Sequence, residues 1–270
     1  MFAFQAPRRG SLQGLRATLS YLEWGRQGSP AAVLLHGITS NARTWWRVAP
    51  ELVGRGFHVI AFDMPGHGLS GEVSDHTIRA LAGLIAEAIR ELGVDADLVI
   101  GHSWGGAVAL SLVAEHRCPL RRVALLDPAL SLAAKVGAAR VGVFTNGMGS
   151  PAAELAPAIA AANPDWHEED VRWKAEAMQQ CRREAVAGFF TKSGDWDLTP
   201  RLGDVAAPTL LLRADPAASI IDNAGARAAH AALTRGRGML VTIQKTTHNM
   251  YRGAGYEPTM AELTRWLSEV

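Results

Sequence analysis

A serine flanked by glycines has the clearest chemical meaning of any pattern in this sequence. The pentapeptide Gly-His-Ser-Trp-Gly spans 101–105, between the apolar run Leu98–Ile100 and a helix-like segment that begins near Trp104. A sharp turn from strand to helix leaves no room for side chains two positions before and after the serine, which explains the two glycines. The pattern predicts that Ser103 presents its hydroxyl as a nucleophile at the carboxyl end of a strand.

A serine hydroxyl needs a base to act as a nucleophile at neutral pH. Of the nine histidines, His248 is the best placed, because it follows the last strand-like run and precedes a final amphipathic segment, Pro258–Leu267. We therefore expect it on a loop at the same sheet edge as Ser103. His102 adjoins the serine but is expected to point away from it, since neighbours on a tight turn diverge.

Two backbone N–H groups are candidates for stabilising an oxyanion. The segment His-Gly-Ile-Thr at 36–39 ends the predicted strand Ala31–Leu35, and Gly37 lets the backbone turn so that the N–H of Ile38 faces the serine. The second donor is the N–H of Trp104, which follows the nucleophile directly.

Two aspartates compete for the role of the acid that orients the histidine. Asp127 follows the apolar run Arg122–Leu126, and Asp215 follows the run Thr209–Arg213. Both are therefore expected at strand ends, where an aspartate can also simply cap a turn. These positions alone leave the choice open.

The elements around these residues alternate between short apolar runs and longer amphipathic segments. Alternation at this rhythm predicts an α/β fold with a mostly parallel central sheet and helices on both of its faces. Thr18–Trp24 is expected to add an antiparallel edge strand. The predicted strands are Ala31–Leu35, His58–Phe62, Leu98–Ile100, Arg122–Leu126, Thr209–Arg213 and Met239–Ile243. The predicted helices are Thr44–Gly54, Ser74–Leu92, Trp104–His116 and Asp222–Thr234.

The alternation breaks once, between Leu126 and Thr209. We interpret residues 129–199 as a helical lid, or cap, inserted into a core made of residues 1–128 and 200–270. Aromatic residues near the predicted loops and in the insertion are expected to line an apolar substrate pocket, and no arginine clamp for a carboxylate or phosphate is evident. The predicted pocket residues are Trp45, Trp46, Trp166 and Trp173.

Composition and charge narrow the class of protein. The 270 residues carry 27 Lys and Arg against 26 Asp and Glu, a formal charge of +1, which indicates neither a nucleic-acid surface nor a polybasic membrane contact. The two cysteines make no metal-binding spacing and no disulfide framework. We expect a cytoplasmic protein without metal or cofactor; its oligomeric state is open.

In combination, these motifs resemble the α/β-hydrolase superfamily. The resemblance rests on the order of His-Gly loop, Asp-x-Pro-Gly-x-Gly-x-Ser loop at 63–70, nucleophile turn, insertion and late histidine. It implies a Ser–acid–His hydrolase with its active site beneath the lid. The Phe-Asp-Met-Pro-Gly segment at 62–66, the spacing from Ser103 to Asp127 and the Ile-Asp-Asn segment at 221–223 are similar to zearalenone-type lactonases. That group takes its acid from before the lid, so Asp127 is preferred and Asp215 is second.

The resulting hypothesis is a serine hydrolase that cleaves a carboxylic ester or a lactone through an acyl-enzyme on Ser103. The expected partner is a small apolar ester or lactone substrate. A carbon–carbon bond hydrolase or a perhydrolase would use the same three residues. A ligand-binding receptor that hydrolyses its ligand slowly is the third alternative.

Overall fold

In the part of the chain that the structure describes, eight strands form the central sheet and two short strands pair elsewhere. The computed structural model describes residues 6–115, 118 and 120–270, and only the backbone of 134–137. The strands of the central sheet are β1 Arg8–Leu12, β2 Leu19–Trp24, β3 Ala31–Leu35, β4 His58–Phe62, β5 Ala96–His102, β6 Arg122–Leu126, β9 Thr209–Arg213 and β10 Gly238–Thr242. The short pair is β7 Ser131–Leu132 and β8 Trp196–Asp197.

The central sheet has the order β1-β2-β4-β3-β5-β6-β9-β10. The pairs β1–β2 and β2–β4 are antiparallel, and the other pairs are parallel. The inner parallel strands are buried almost throughout because helices cover both faces, so they are apolar runs rather than alternating patterns. The predicted α/β-hydrolase fold is confirmed.

The antiparallel edge differs from the expectation in one respect. The segment predicted at Thr18–Trp24 is an inner strand, β2, because β1 pairs along its outer side. β1 begins with two arginines and is mostly exposed, so it lacks the apolar alternation that identifies a half-buried strand.

Nine helices occur in the described part of the chain. One core cluster contains residues of α2, α3 and α8, and the cluster on the opposite face of the sheet contains residues of α1 and α9. The helix predicted to reach His116 ends at Ala114, and His116 lies outside the described residues. The helices are α1 Val48–Gly54, α2 Ile78–Leu92, α3 Trp104–Ala114, α4 Ala134–Thr145, α5 Ala152–Ala162, α6 Glu168–Gln180, α7 Arg183–Lys192, α8 Asn223–Leu233 and α9 Tyr256–Glu269.

Four of these helices, α4 to α7, lie between β6 and β9 together with the β7–β8 pair. Within this insertion α4 packs on α7, and α5 packs on α6. None of the helices described is both long and apolar enough to cross a membrane.

The register of the parallel strands brings the predicted site residues to one edge. Leu35 at the end of β3 pairs with Gly101 in β5, and His102 pairs with Leu126 at the end of β6. The loops after these three strands therefore leave the sheet at the same level. This is the carboxyl edge, where open parallel sheets bind their ligands.

Candidate active site

Ser103 lies on a strained turn between β5 and α3. Its φ of 54° and ψ of −119° place a residue with a side chain in a backbone region that favours glycine. Two of its backbone hydrogen bonds come from the chain around the end of β6: the Ser103 N–H donates to the carbonyl of Leu126 (3.1 Å), and the N–H of Ala129 donates to the Ser103 carbonyl (2.9 Å). A Cβ on Gly105 would lie 2.2 Å from the carbonyl oxygen of Leu35, so the turn tolerates no side chain there.

His248 and Asp127 are joined by a short side-chain hydrogen bond. The Nδ1 of His248 lies 2.7 Å from Oδ2 of Asp127, which is fully buried at the end of β6. Because a carboxylate only accepts hydrogen bonds, Nδ1 of His248 carries the proton. The other ring nitrogen, Nε2, is then unprotonated in the neutral imidazole and can act as a base.

Three further donors fix the orientation of the Asp127 carboxylate. Its Oδ1 accepts hydrogen bonds from the hydroxyl of Ser219 (2.6 Å) and the N–H of Ala214 (3.3 Å), and its Oδ2 accepts one from the N–H of Ile220 (3.1 Å). These donors come from the chain between β9 and α8. The loop after β9 thus holds the Asp127 carboxylate in place.

Asp215, the second candidate for the acid, binds backbone groups instead. Its carboxylate accepts hydrogen bonds from the N–H groups of Ala217 (3.0 Å) and Lys245 (2.8 Å), which lower its pKa. The structure brings Asp127, and not Asp215, to His248. Asp215 instead ties the loop after β9 to the loop after β10.

Ser103 and His248 line the same cavity, which has a volume of about 440 Å³. No hydrogen bond among the described residues involves the hydroxyl of Ser103. Hydrogen bonds between a nucleophile and its base are often long before substrate binds, so the hydroxyl remains available for pairing with the imidazole.

The two predicted oxyanion donors also line this cavity. Trp104 is the first residue of α3, where a backbone N–H has no partner within the helix. Ile38 is followed by Thr39, whose φ of 58° turns the chain, and the N–H of Thr39 donates to Nε2 of His67 (3.2 Å). The imidazole of His67 therefore fixes the backbone next to Ile38.

Two buried histidines serve as neutral supports for these loops. Nε2 of His36 accepts from the N–H of Met64 (2.9 Å), and Nδ1 of His67 donates to the carbonyl of Pro65 (2.9 Å). Burial disfavours the charged form, and it lowers the pKa of His36 to about 4 and that of His67 to about 3.

His102 supports the loop that carries His248, the candidate base. Its Nε2 donates to the backbone carbonyl of His248 (2.9 Å), and the two rings lie 4.7 Å apart. Burial holds the pKa of His102 well below its usual value. The sequence identified His102 only as a neighbour of the nucleophile, because a contact with a residue 146 positions later leaves no local pattern.

The walls of the cavity combine apolar and cationic side chains. One side is apolar, and the insertion supplies much of it through Leu132, Phe144, Phe189, Phe190 and Trp196. Lys174, Arg252 and Arg140 also line the cavity. The sequence indicated no cationic clamp, and these three residues are the functional candidates that it missed. In the described part of the chain, no three His, Cys, Asp or Glu side chains are grouped as metal ligands.

The four tryptophans predicted to line the pocket are not among the residues around the cavity. Trp45 is fully buried and stacks on Tyr251, with ring centroids 4.8 Å apart. The indole N–H of Trp46 donates to Asp170 (2.9 Å). The other two hold cations: the Arg252 guanidinium lies 4.6 Å from the ring of Trp166, and Trp173 contacts two arginines. All four join the core to the insertion or to neighbouring side chains.

Comparison with known families agrees with this fold and residue order. Residues 32–257 match the family model described as the alpha/beta hydrolase family.

The chain belongs to the α/β-hydrolase family.

Two relatives of this α/β-hydrolase match most of its length. The N-formylmaleamate deformylase of Pseudomonas putida is 29% identical over 216 residues, which cover 78% of this chain and 79% of the relative. An esterase of Mycobacterium tuberculosis is 29% identical over 252 residues, covering 86% of this chain and 80% of the relative.

A solved structure shows the same fold over nearly the whole chain. The crystal structure of E-2-(acetamidomethylene)succinate hydrolase has a TM-score of 0.83 and 22% sequence identity, and the match covers 97% of this chain and 99% of that one.

Proposed function

We propose that this α/β-hydrolase cleaves a carboxylic ester or lactone of a small molecule through an acyl-enzyme on Ser103. The observation that carries the proposal is the hydrogen bond from His248 to buried Asp127, with His248 and Ser103 lining the same cavity. A strained serine, an oriented imidazole and free backbone N–H groups form the set that acyl transfer requires.

In the acylation step, Nε2 of His248 removes the proton of the Ser103 hydroxyl as its oxygen attacks the acyl carbon. The carbonyl oxygen becomes negatively charged and is stabilised by the N–H groups of Ile38 and Trp104. His248 then donates its proton to the departing alcohol oxygen. Asp127 keeps the proton on Nδ1 and stabilises the imidazolium that forms between the two transfers.

In the deacylation step, a water molecule takes the place of the alcohol. His248 removes a proton from the water as its oxygen attacks the acyl carbon, and then returns a proton to Ser103. The products are a carboxylic acid and the free enzyme. A lactone follows the same path, except that its alcohol oxygen stays on the acyl chain throughout, so that the single product is a hydroxy acid.

We assign the insertion the role of a lid over this chemistry, in keeping with the boundary of residues 129–199 and the core of 1–128 and 200–270. Its side chains supply much of the apolar wall. An apolar wall excludes water and strengthens the interactions that stabilise the oxyanion. The Mycobacterium tuberculosis relative is an esterase, which also supports ester cleavage.

The test is hydrolysis of 4-nitrophenyl acetate by the wild-type protein and by the Ser103→Ala variant. We expect turnover by the wild type and a loss of at least about 1,000-fold in kcat in the variant, because the nucleophile is missing. Equal turnover by the two proteins would overturn the proposal. Binding of the ester without any turnover would favour the receptor alternative.

A further inference from the structure

Among the described residues, two buried cationic groups line the cavity without a carboxylate partner. Nζ of Lys174, on α6, donates to the backbone carbonyl (2.8 Å) and the hydroxyl (2.7 Å) of Thr39. An ammonium group has three donors, so one remains. Arg252 is 3% exposed, stacks on Trp166 and donates through Nη2 to the hydroxyl of Thr44. Neither cation forms an ion pair with any carboxylate in the described residues.

These two charges repel each other in a partly dry environment. Burial and the nearby Arg252 lower the pKa of Lys174 to about 8. A third cation, Arg140 on α4, lines the same cavity from the insertion. Placing like charges together is costly unless an anion lies between them, and a cavity lined by cations attracts one.

Two aspartates in this region accept hydrogen bonds from groups other than these cations. Asp170, one turn before Lys174 on α6, accepts a hydrogen bond from the indole of Trp46. Asp222 lines the cavity but caps α8, where it accepts from the N–H of Gly225 (2.6 Å). The nearby thiol of Cys181 stays protonated, because burial raises its pKa to about 12. None of these groups neutralises the ammonium by direct contact.

The position of Lys174 indicates which end of a substrate it meets. It binds Thr39, the residue directly after the oxyanion donor Ile38. His248, which protonates the leaving alcohol, lies on a different loop. An anion at Lys174 is therefore close to the acyl carbonyl oxygen and belongs to the acyl part of the substrate.

We propose that the acyl part of the substrate carries a carboxylate that binds Lys174, so that the substrate is a half-ester of a short dicarboxylic acid. This proposal rests on the proposed ester hydrolysis at Ser103. The carboxylate accepts the third N–H of Lys174, and Arg252 and Arg140 contribute positive potential. Hydrolysis consumes one water and releases the dicarboxylate and an alcohol.

The test compares two methyl esters of matched size. Monomethyl succinate carries the carboxylate, and methyl 4-oxopentanoate replaces it with a neutral methyl ketone; acid release in a pH-stat at pH 7 measures both reactions. We expect kcat/KM for monomethyl succinate to be at least about tenfold higher, the size of one charge-assisted hydrogen bond. A ratio of one or below would overturn the carboxylate proposal.

The Lys174→Met variant tests whether this side chain causes the preference for monomethyl succinate. Lys192→Met, at the exposed end of α7, is the matched control. We expect the ratio of kcat/KM values to fall about tenfold or more in Lys174→Met and to stay at the wild-type value in Lys192→Met. A purely structural role, in which Lys174 only holds Thr39, would lower kcat/KM for both esters equally and overturn the assignment.

A measurement on the wild type keeps the proposal testable should Lys174→Met fail to fold. Succinate should inhibit hydrolysis of 4-nitrophenyl acetate competitively, at concentrations at least tenfold below those at which neutral 1,4-butanediol does. Equal inhibition by the two would overturn the proposal. Ser103-dependent hydrolysis of neutral esters without anion preference would contradict this proposal alone, whereas absence of Ser103-dependent turnover would contradict the proposed function itself.

Discussion

The imidazole of His248 is hydrogen-bonded to the carboxylate of Asp127, although 121 positions separate them in the chain. Asp127 directly follows β6, and His248 follows β10, two strands away across β9. The carboxylate is fully buried, and its remaining donors come from the loop after β9. Three segments of the chain thus meet to fix a single imidazole.

The first prediction concerns the acid. Asp127→Asn should lower kcat for 4-nitrophenyl acetate by about 1,000- to 10,000-fold, because the amide no longer stabilises the imidazolium and can favour the wrong tautomer of His248. Asp215→Asn is the matched control and should retain most of the activity. Initial rates at saturating ester measure both. The assignment of Asp127 as the acid is contradicted if Asp215→Asn is inactive while Asp127→Asn keeps the wild-type kcat.

The second prediction concerns the nucleophile turn. Gly105→Ala places a Cβ 2.2 Å from a backbone carbonyl oxygen that cannot move aside, so it should lower the free energy of unfolding by more than about 3 kcal/mol. Gly142→Ala, on α4 with no atom within 4 Å of the added carbon, is the control and should not destabilise the protein. Urea denaturation measures both. Equal midpoints for the two variants would refute the crowding at Gly105.

The third prediction is a loss of stability in acid. The pKa values of buried His36 and His67 are about 4 and about 3, whereas an unfolded histidine titrates near 6.5. Below pH 6.5 the unfolded chain therefore binds more protons, and stability falls as pH falls. Each histidine should lower the free energy of unfolding by about 2 kcal/mol between pH 7 and pH 5.

Urea unfolding of the wild type and His67→Gln at both pH values measures this contribution. The glutamine cannot take up a proton. The difference between the free energies of unfolding at pH 7 and pH 5 should therefore be smaller by about 2 kcal/mol in the variant. His230→Gln, at an exposed position of α8, is the control and should keep the wild-type dependence. An unchanged difference in His67→Gln would show that His67 is not held neutral by burial.

The fourth prediction follows from the pKa of Lys174, about 8. The preference for monomethyl succinate over methyl 4-oxopentanoate should decline as pH rises through 8 and be about tenfold smaller at pH 9 than at full protonation. Taking the ratio of kcat/KM values cancels every pH effect that the two esters share. A preference that is constant from pH 7 to pH 9.5 would contradict a role for this ammonium.

Local patterns were sufficient to predict the inner parallel strands of the sheet and the edge at which the candidate residues meet. Buried parallel strands are short apolar runs, and glycines beside a serine identify a strand-to-helix turn, so the strands and the position of Ser103 could be predicted. His248 could be predicted as well, because the carboxyl ends of parallel strands converge.

The pocket walls could not be predicted in this way. A tryptophan such as Trp45 packs equally well in a core or in a pocket, and its type does not distinguish the two. Lys174 lies on a polar helix whose cations elsewhere face solvent, as Arg172 does. Only the packing of α6 against the loop after β3 brings Lys174 into the cavity, and that contact spans 135 positions of the chain.

Covalent labelling of Ser103 tests the central claim most directly. The adduct of a fluorophosphonate mimics the tetrahedral acyl intermediate, and the reagent reacts far faster with a serine that a base has activated than with other side chains. Intact-mass and peptide analysis should show one adduct, on Ser103, in the wild type, and none in Ser103→Ala. Labelling at another residue, or undiminished labelling of Ser103→Ala, would contradict the assignment of Ser103 as the nucleophile.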